Sequence, residues 1–455
     1  MNYIERKTDC GVIRGLETES CLEFRGIRYA RAERFEYPEP VSSWDGVYDA
    51  TEFRECAYQH RAFDDDAKVN AFYHKEFRKG LEFTYGEDCM FLNIWAPKNA
   101  DNCPVIIYIH GGSFTGGSGN EGHIRGEHFA ENGVIMITFN YRLGPFGFCS
   151  HPDVKGENGA CGNFGLFDQT AAIRWVKDNI SAFGGDPDKI TLMGQSAGAM
   201  SVDIQLSNDL CKDCFSAAII MSGAGMQRFI SKPSTPDQTI PFWDTVMENA
   251  GVSTIKELKH VDAKELYYAW LNACQTTKFS MRYTFPVYDG VLLRQDKFDI
   301  RSIPDIPYIL GVTSDDMIPA VLQAITKKWM RYAKKNNTNK CYVYNFTRAL
   351  PGDTKGAWHS SDLLYAFSTL SFNWRPFEAI DYTISEQLLK SLCAFSKNRD
   401  PNCEAIPLWE ADFKKPMRFC ENTRSTGWDT VKNVHHTVRD AVNNIRNTAF
   451  GQRMF

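Results

Sequence analysis

The chain has 455 residues, 43% of them apolar, and a formal net charge of −5. That length and apolar content allow one large buried core. The charge balance excludes the concentrated basic face that nucleic-acid binding needs, and no run approaches the ~18 apolar residues of a membrane-spanning helix.

The first residues, MNYIERKTDCGVIRG, contain no apolar core of signal-peptide length, so the expected location is the cytoplasm. Fourteen cysteines are then expected to stay reduced and to pack as small apolar groups. Cys211 and Cys214 have CxxC spacing, but no second CxxC or His pair follows, so no zinc site is expected. Between Cys56 and Cys89 the chain is aromatic, with Tyr58, Phe63, Phe72, Tyr73, Phe77, Phe83 and Tyr85, and it has no Trp there.

Residues 104–110 (PVIIYIH) read as a central strand, and 133–141 (GVIMITFNY) as another. Both are continuous apolar or β-branched runs, the pattern of strands buried on both faces of a parallel sheet. His110, Gly111, Gly112, Ser113 and Phe114 follow the first strand. An HGGG-like turn there lets backbone N–H groups face inward and bind an oxyanion. The donors expected are Gly112, Ser113 and Ala197. A phosphate loop is not expected, because no G-K-[ST] follows.

Residues 167–183 place Ala171, Ala172, Trp175, Ile180 and Phe183 at helical spacing. Residues 189–194 (KITLMG) form a third strand, and it runs directly into Gly194, Gln195, Ser196, Ala197 and Gly198. G-x-S-x-G between a strand and a helix is a nucleophile elbow: a tight turn that leaves no room for side chains at the glycines and projects Ser196 Oγ outward. Strands are also expected at 217–222, 307–313 and 340–346, and a basic amphipathic helix at 318–335. The alternation of strand and helix predicts a doubly wound α/β fold. The absence of repeats or linkers predicts one catalytic domain over 1–455, with a small cap inserted at 225–305.

A serine hydroxyl needs a general base. In this kind of fold the triad order is Ser, then Asp or Glu, then His. His60, His74, His110, His123, His128 and His151 precede the elbow, and His260 leaves no room for a later acid and strand. His435 and His436 sit in a polar C-terminal stretch. His359, in the loop after 340–346, is the expected base. The acid should follow 307–313, where Asp315 and Asp316 stand side by side. Local pattern does not choose between them.

Taken together, these motifs resemble the type-B carboxylesterase family, which includes cholinesterases and bacterial para-nitrobenzyl esterases. The segment from Phe183, Gly184, Gly185, Asp186 and Pro187 through the elbow is similar to that family's serine signature. Glu87 to Trp95 (EDCMFLNIW) is similar to its second signature. Asn140 to Gly144 (NYRLG) and Gly162 to Gln169 (GNFGLFDQ) are also typical, so the likeness covers nearly the whole chain. The resemblance implies an α/β-hydrolase fold and ester hydrolysis through an acyl-enzyme, with no cofactor or metal.

It also assigns the acid to Asp316, through the family's G-V-x-x-D-E segment, where this chain has Asp in place of the usual Glu. It supports His359 through a G-x-x-H-x-x-[DE] segment, and it aligns a second pocket serine with Ser222. In secreted relatives cysteines like Cys56 and Cys89 pair; here they are expected reduced. Cholinesterases carry Glu immediately before the serine, where this chain has Gln195, so a choline specialist is not expected. Phe114, Tyr283 and Phe285 are the candidate acyl-pocket walls. The expected partner is a small-molecule ester, short-chain or aryl, with neither nucleic acid nor membrane involved. The rival readings are a specialised hydroxycinnamoyl, aryl-ester or amide hydrolase, and a non-catalytic binding protein.

Overall fold

The continuous apolar runs form the centre of one large sheet. In the computed structural model, which describes residues 2–428 apart from Phe279, the main strands are β1 Asn2–Thr8, β2 Gly11–Glu17, β3 Leu22–Arg28, β4 Phe91–Ala96, β5 Cys103–Ile109, β6 Ile135–Phe139, β7 Gly185–Gln195, β8 Ala217–Met221, β9 Tyr308–Thr313, β10 Cys341–Phe346, β11 Met417–Phe419 and β12 Arg424–Ser425. His435 and His436 lie outside the described residues.

The strand order is β1-β2-β3-β4-β6-β5-β7-β8-β9-β10-β11-β12. From β6 to β11 every pairing is parallel. The four N-terminal strands join the parallel part antiparallel, as does β12. All six strands expected from sequence are present, each within a few residues of its predicted bounds.

Alternate residues of a strand face opposite sides of the sheet. Ile107, Ile190 and Leu192 pack in one cluster with Trp175 and Val176, which belong to α1 (Phe164–Asn179). Ile106, Tyr108 and Met193 pack in a second cluster with Leu388 and Leu392, which belong to a later helix, Ala379–Asn398. The sheet therefore has a buried apolar layer on each face, as a doubly wound arrangement requires. Each fully buried Ile or Leu contributes about 1.5–3 kcal/mol relative to exposure.

Helix α2 (Ala197–Gln205) follows β7 directly. Residues 225–305 contain α3 (Pro236–Asn249) and α4 (Ala263–Thr276). Their Phe242, Trp243 and Trp270 pack on Phe146 and Phe164 in a cluster away from the sheet. The basic amphipathic segment is α5 (Pro319–Asn336), which makes Ala379–Asn398 α6. Among the described residues no helix is long and apolar enough to cross a membrane. All fourteen cysteines are unbonded, including Cys56 and Cys89, which are both buried.

Candidate active site

Ser196 sits at the junction of β7 and α2 with φ 58° and ψ −124°. That conformation is strained for a residue with a side chain and persists only where the surroundings enforce it. The flanking glycines explain the enforcement. A Cβ on Gly194 would lie 2.4 Å from the Gly198 carbonyl oxygen, and one on Gly198 would lie 2.0 Å from that of Ile109. The Ser196 N–H donates to the Met221 carbonyl at 2.9 Å, tying the turn to β8. Ala197 begins the helix, so its N–H has no partner within the helix and adds to the positive end of its dipole.

The loop after β5 is strained in the same sense. Gly112, Ser113 and Phe114 have φ of 113°, 56° and 62°. Hydrogen bonds hold this left-handed run in place: Gly144 N–H to the Phe114 carbonyl at 2.8 Å, Tyr141 Oη to the His110 carbonyl at 2.9 Å, and Gly117 N–H to Gln59 Oε1 at 3.0 Å. Gly112, Ser113 and Ser196 line one cavity together, and Ser113, Ser196 and Ala197 line another. His110 stacks on Tyr141 with centroids 4.4 Å apart. Burial pushes its pKa down to about 4, so it is neutral near pH 7.

His359 Nδ1 lies 2.8 Å from Asp316 Oδ1. Asp316 Oδ1 also accepts from the Met317 N–H at 2.7 Å, and Oδ2 accepts from Thr313 Oγ1 at 2.8 Å. Burial works against the charged form of Asp316, but His359, with smaller help from Ser222 and Thr313, more than offsets it and the pKa is lowered. Burial likewise works against a charged His359, and Asp316 reverses the sign, raising its pKa. Such a pair holds the ring in the Nδ1–H tautomer and stabilises the imidazolium.

The neighbouring Asp315 has a different position. Its Oδ2 accepts from the Ala357 N–H at 2.9 Å, and its own N–H donates to the Ala357 carbonyl at 3.1 Å. It thus pins the end of β9 to the loop that carries His359. A Cβ on Gly356, at φ 71°, would lie 2.5 Å from that same oxygen. Of the two aspartates that sequence left open, Asp316 is the one in contact with His359.

Ser196 lies where two lobes meet. The larger, about 180 Å³, is lined by Gln195, His110 and residues 59–78 of the aromatic loop. The smaller, about 70 Å³, is mostly apolar, with Met200, Met226, Phe285, Ile318 and Leu322. Met317 and His359 border both. Of the expected walls, Phe285 and Ser222 line the smaller lobe. Phe114 is fully buried behind Phe285, with ring centroids 5.3 Å apart. Tyr283 stacks on Phe242 instead and lines neither lobe. Ser222 favours the charged form of Asp316, although its hydroxyl makes no well-formed hydrogen bond.

Sequence reasoning missed two features. Gln195 Nε2 lies 3.3 Å from His359 Nε2; the sequence marked Gln195 only as a neutral residue before the serine, and the elbow motif, which leaves this position open, gave no sign of the contact. Residues His60, Arg61, Asp66, Tyr73 and Arg78 line the larger lobe. The aromatic density of that loop was visible in the sequence, but no motif singled out its charged residues.

Residues 3–330 match the model of the carboxylesterase family. The para-nitrobenzyl esterase of Bacillus subtilis (strain 168) is 33% identical over 321 residues, 68% of this chain and 62% of that protein. The fumonisin B1 esterase of Sphingopyxis macrogoltabida is 33% identical over 325 residues, 68% of this chain and 56% of that protein. The bile salt-activated lipase of Rattus norvegicus is 28% identical over 480 residues, 85% of this chain and 74% of the lipase. The chain thus spans between 56% and 74% of these relatives' lengths. Among solved structures, the Geobacillus stearothermophilus carboxylesterase EST55 at pH 6.2 superposes with a TM-score of 0.74 at 27% identity, covering 93% of this chain and 97% of that one. A PNB esterase superposes with a TM-score of 0.77 over 98% of this chain and 99% of its own, at 24% identity.

Proposed function

The chain belongs to the carboxylesterase family and has the α/β-hydrolase fold, and from that premise we propose that it hydrolyses small carboxylic esters with Ser196, His359 and Asp316. The observation that carries the reading is the Asp316–His359 pair at 2.8 Å, bordering the cavity beside a serine held at φ 58°.

Ser196 Oγ attacks the ester carbonyl while His359 Nε2 takes its proton. Asp316 stabilises the imidazolium that results. The N–H groups of Gly112, Ser113 and Ala197 hold the tetrahedral oxyanion; losing one comparable donor costs about 3–4 kcal/mol. The imidazolium then protonates the leaving alcohol, and water repeats the sequence on the acyl-enzyme. No metal or cofactor enters these steps. The small apolar lobe suits a short acyl chain or a compact aryl group.

The whole chain is read as one catalytic domain, with 225–305 as a cap whose Phe285 borders the acyl lobe. A reducing compartment, the cytoplasm, suits fourteen unbonded cysteines.

The test is hydrolysis of para-nitrophenyl esters from acetate to dodecanoate by wild type and Ser196→Ala. Turnover is expected on short chains and is expected to fall by at least about 10⁴-fold in the variant. Folded wild type that turns over none of the series would overturn the reading.

A further inference from the structure

The wall of the larger lobe contains an unusual number of buried polar atoms without hydrogen-bond partners. They include Nε2 of His60, Nε and Nη1 of Arg61 and Nε2 of His110, and all three residues line that lobe; His123, in the same wall, faces Glu121 at 3.4 Å through Nδ1. Buried polar groups are ordinarily satisfied, and leaving one unpaired costs about 1–3 kcal/mol. These residues are also held firmly. Arg61 pairs with Glu121 at 2.6 Å, and both side chains are about 5% exposed. Arg78 grips Asp66 through two hydrogen bonds of 2.7 and 3.1 Å. His123 stacks on Phe77 with centroids 3.8 Å apart.

The charges in this wall cancel. Two arginines face two carboxylates. Burial works to raise the Glu121 pKa, but Arg61 and Arg78 more than offset it and bring it to about 2. Burial pushes His123 down to about 4, so it stays neutral near pH 7. A further anion or cation would enter unbalanced, whereas hydroxyl groups can both donate and accept along this surface.

Which half of an ester occupies this lobe follows from the ring of His359. The leaving oxygen takes its proton from Nε2, and Nε2 lies 3.3 Å from Gln195, a residue that lines the larger lobe and not the smaller. The alcohol half therefore lies on the larger side.

We propose that the lobe lined by His60, Arg61, His110, Glu121 and His123 is a binding site for a small, neutral, polyhydroxylated leaving alcohol. This rests on the esterase reading and narrows it: the substrate is a short acyl ester of a polyol rather than of an alkyl alcohol. The lobe's 180 Å³ holds a few hydroxyl-bearing carbons or the several waters they displace.

The experiment keeps the acyl group fixed. Wild type is given ethyl butyrate, 1-butyrylglycerol and the butyrate ester of glycolic acid, the last carrying a free carboxylate. The glycerol ester is expected to have kcat/KM at least about tenfold above the ethyl ester, because sites built to bind hydroxyls discriminate strongly against partners lacking them. The glycolate ester is expected to fall below both. His60→Phe, which keeps the ring and removes its nitrogens, is expected to lower the glycerol-to-ethyl ratio at least about threefold. Arg61→Met, if it folds, should lower that ratio too. Ethyl ester turnover with equal or better kcat/KM than the glycerol ester overturns the subsite and leaves the esterase standing, and so does a preference for the glycolate ester. Turnover of none of the three overturns the esterase reading and the subsite with it.

Discussion

The side-chain amide of Gln195 donates to Nε2 of His359 across 3.3 Å, so the ring nitrogen that must receive the serine proton is already engaged by the residue preceding the serine. With Nδ1–H directed at Asp316, Nε2 carries the lone pair, and the Gln195 amide fits it as a neutral donor. The contact stabilises the neutral ring, against the pull of Asp316 towards the charged form.

Replacing that donor by an acceptor tests the relationship. In Gln195→Glu a carboxylate stands beside Nε2 and favours the imidazolium, raising the His359 pKa further. The base is active when neutral, so activity should be lost over a wider acidic range. The acid limb of the kcat/KM–pH profile is expected to move up by about one pH unit or more. An unmoved limb would show that the two side chains do not meet in the working enzyme.

Asp316 already reaches Nδ1 at 2.8 Å, although the family's usual residue here is one methylene longer. Asp315 pins the end of β9 to the loop that carries His359. Asp316→Asn should lower kcat/KM by roughly 10³–10⁴-fold, because an amide no longer fixes the tautomer or balances the imidazolium. Asp316→Glu, despite restoring the family residue, is expected to lose about 10²-fold, since the extra methylene displaces the ring by about 1 Å. Wild-type rates for the Glu variant would show that the loop adjusts freely.

The chain-length limit should move with Phe285, which borders the smaller lobe and rests edge-on against the buried Phe114. Phe285→Ala is expected to shift the best para-nitrophenyl ester by at least two carbons towards longer chains, with kcat/KM for acetate falling. A profile that keeps its optimum on short chains would place the acyl limit elsewhere, at Met226 or Leu322.

The elements that sequence made legible were those whose residues obey one constraint over a short span. Val105 to Ile109 can only be a strand buried on both sides, and Gly194 to Gly198 can only turn one way. The antiparallel strands at the N-terminus were less visible: Asn2–Thr8 is mostly polar because it is the edge strand, and its neighbour Gly11–Glu17 is only partly buried. The triad candidates could be ordered along the chain, but the choice between Asp315 and Asp316 depends on one peptide's rotation, which needed the family's pattern first and coordinates afterwards. The pocket walls were least legible. Tyr283 and Phe285 are two residues apart, yet one stacks on Phe242 and the other borders the acyl lobe, because the path of the chain between α4 and β9 decides which way each points. The charged wall of the larger lobe depends on Arg61 and Arg78 meeting Glu121, which lies more than forty residues further along the chain, and no local pattern announces such an assembly.

Asp362 gives a prediction for stability instead of rate. It lies fully buried past His359, accepts from Tyr344 Oη at 2.7 Å through Oδ2, and leaves Oδ1 without a partner. Burial raises its carboxyl pKa from 3.8 to about 6. Between those two values the folded chain holds the proton while the unfolded chain releases it. Stability contributed by this site is therefore present in acid and falls as pH rises through the window. Above it the buried charge costs up to roughly 3 kcal/mol. Asp362→Asn keeps the shape and an acceptor for Tyr344 without acquiring charge. Measured by urea unfolding, the variant is expected to match wild type or fall slightly below it at pH 4.5 and to exceed it by about 1–3 kcal/mol at pH 7.5. A stability difference that does not change with pH would mean that Asp362 is already ionised, or already hydrated, in the folded protein.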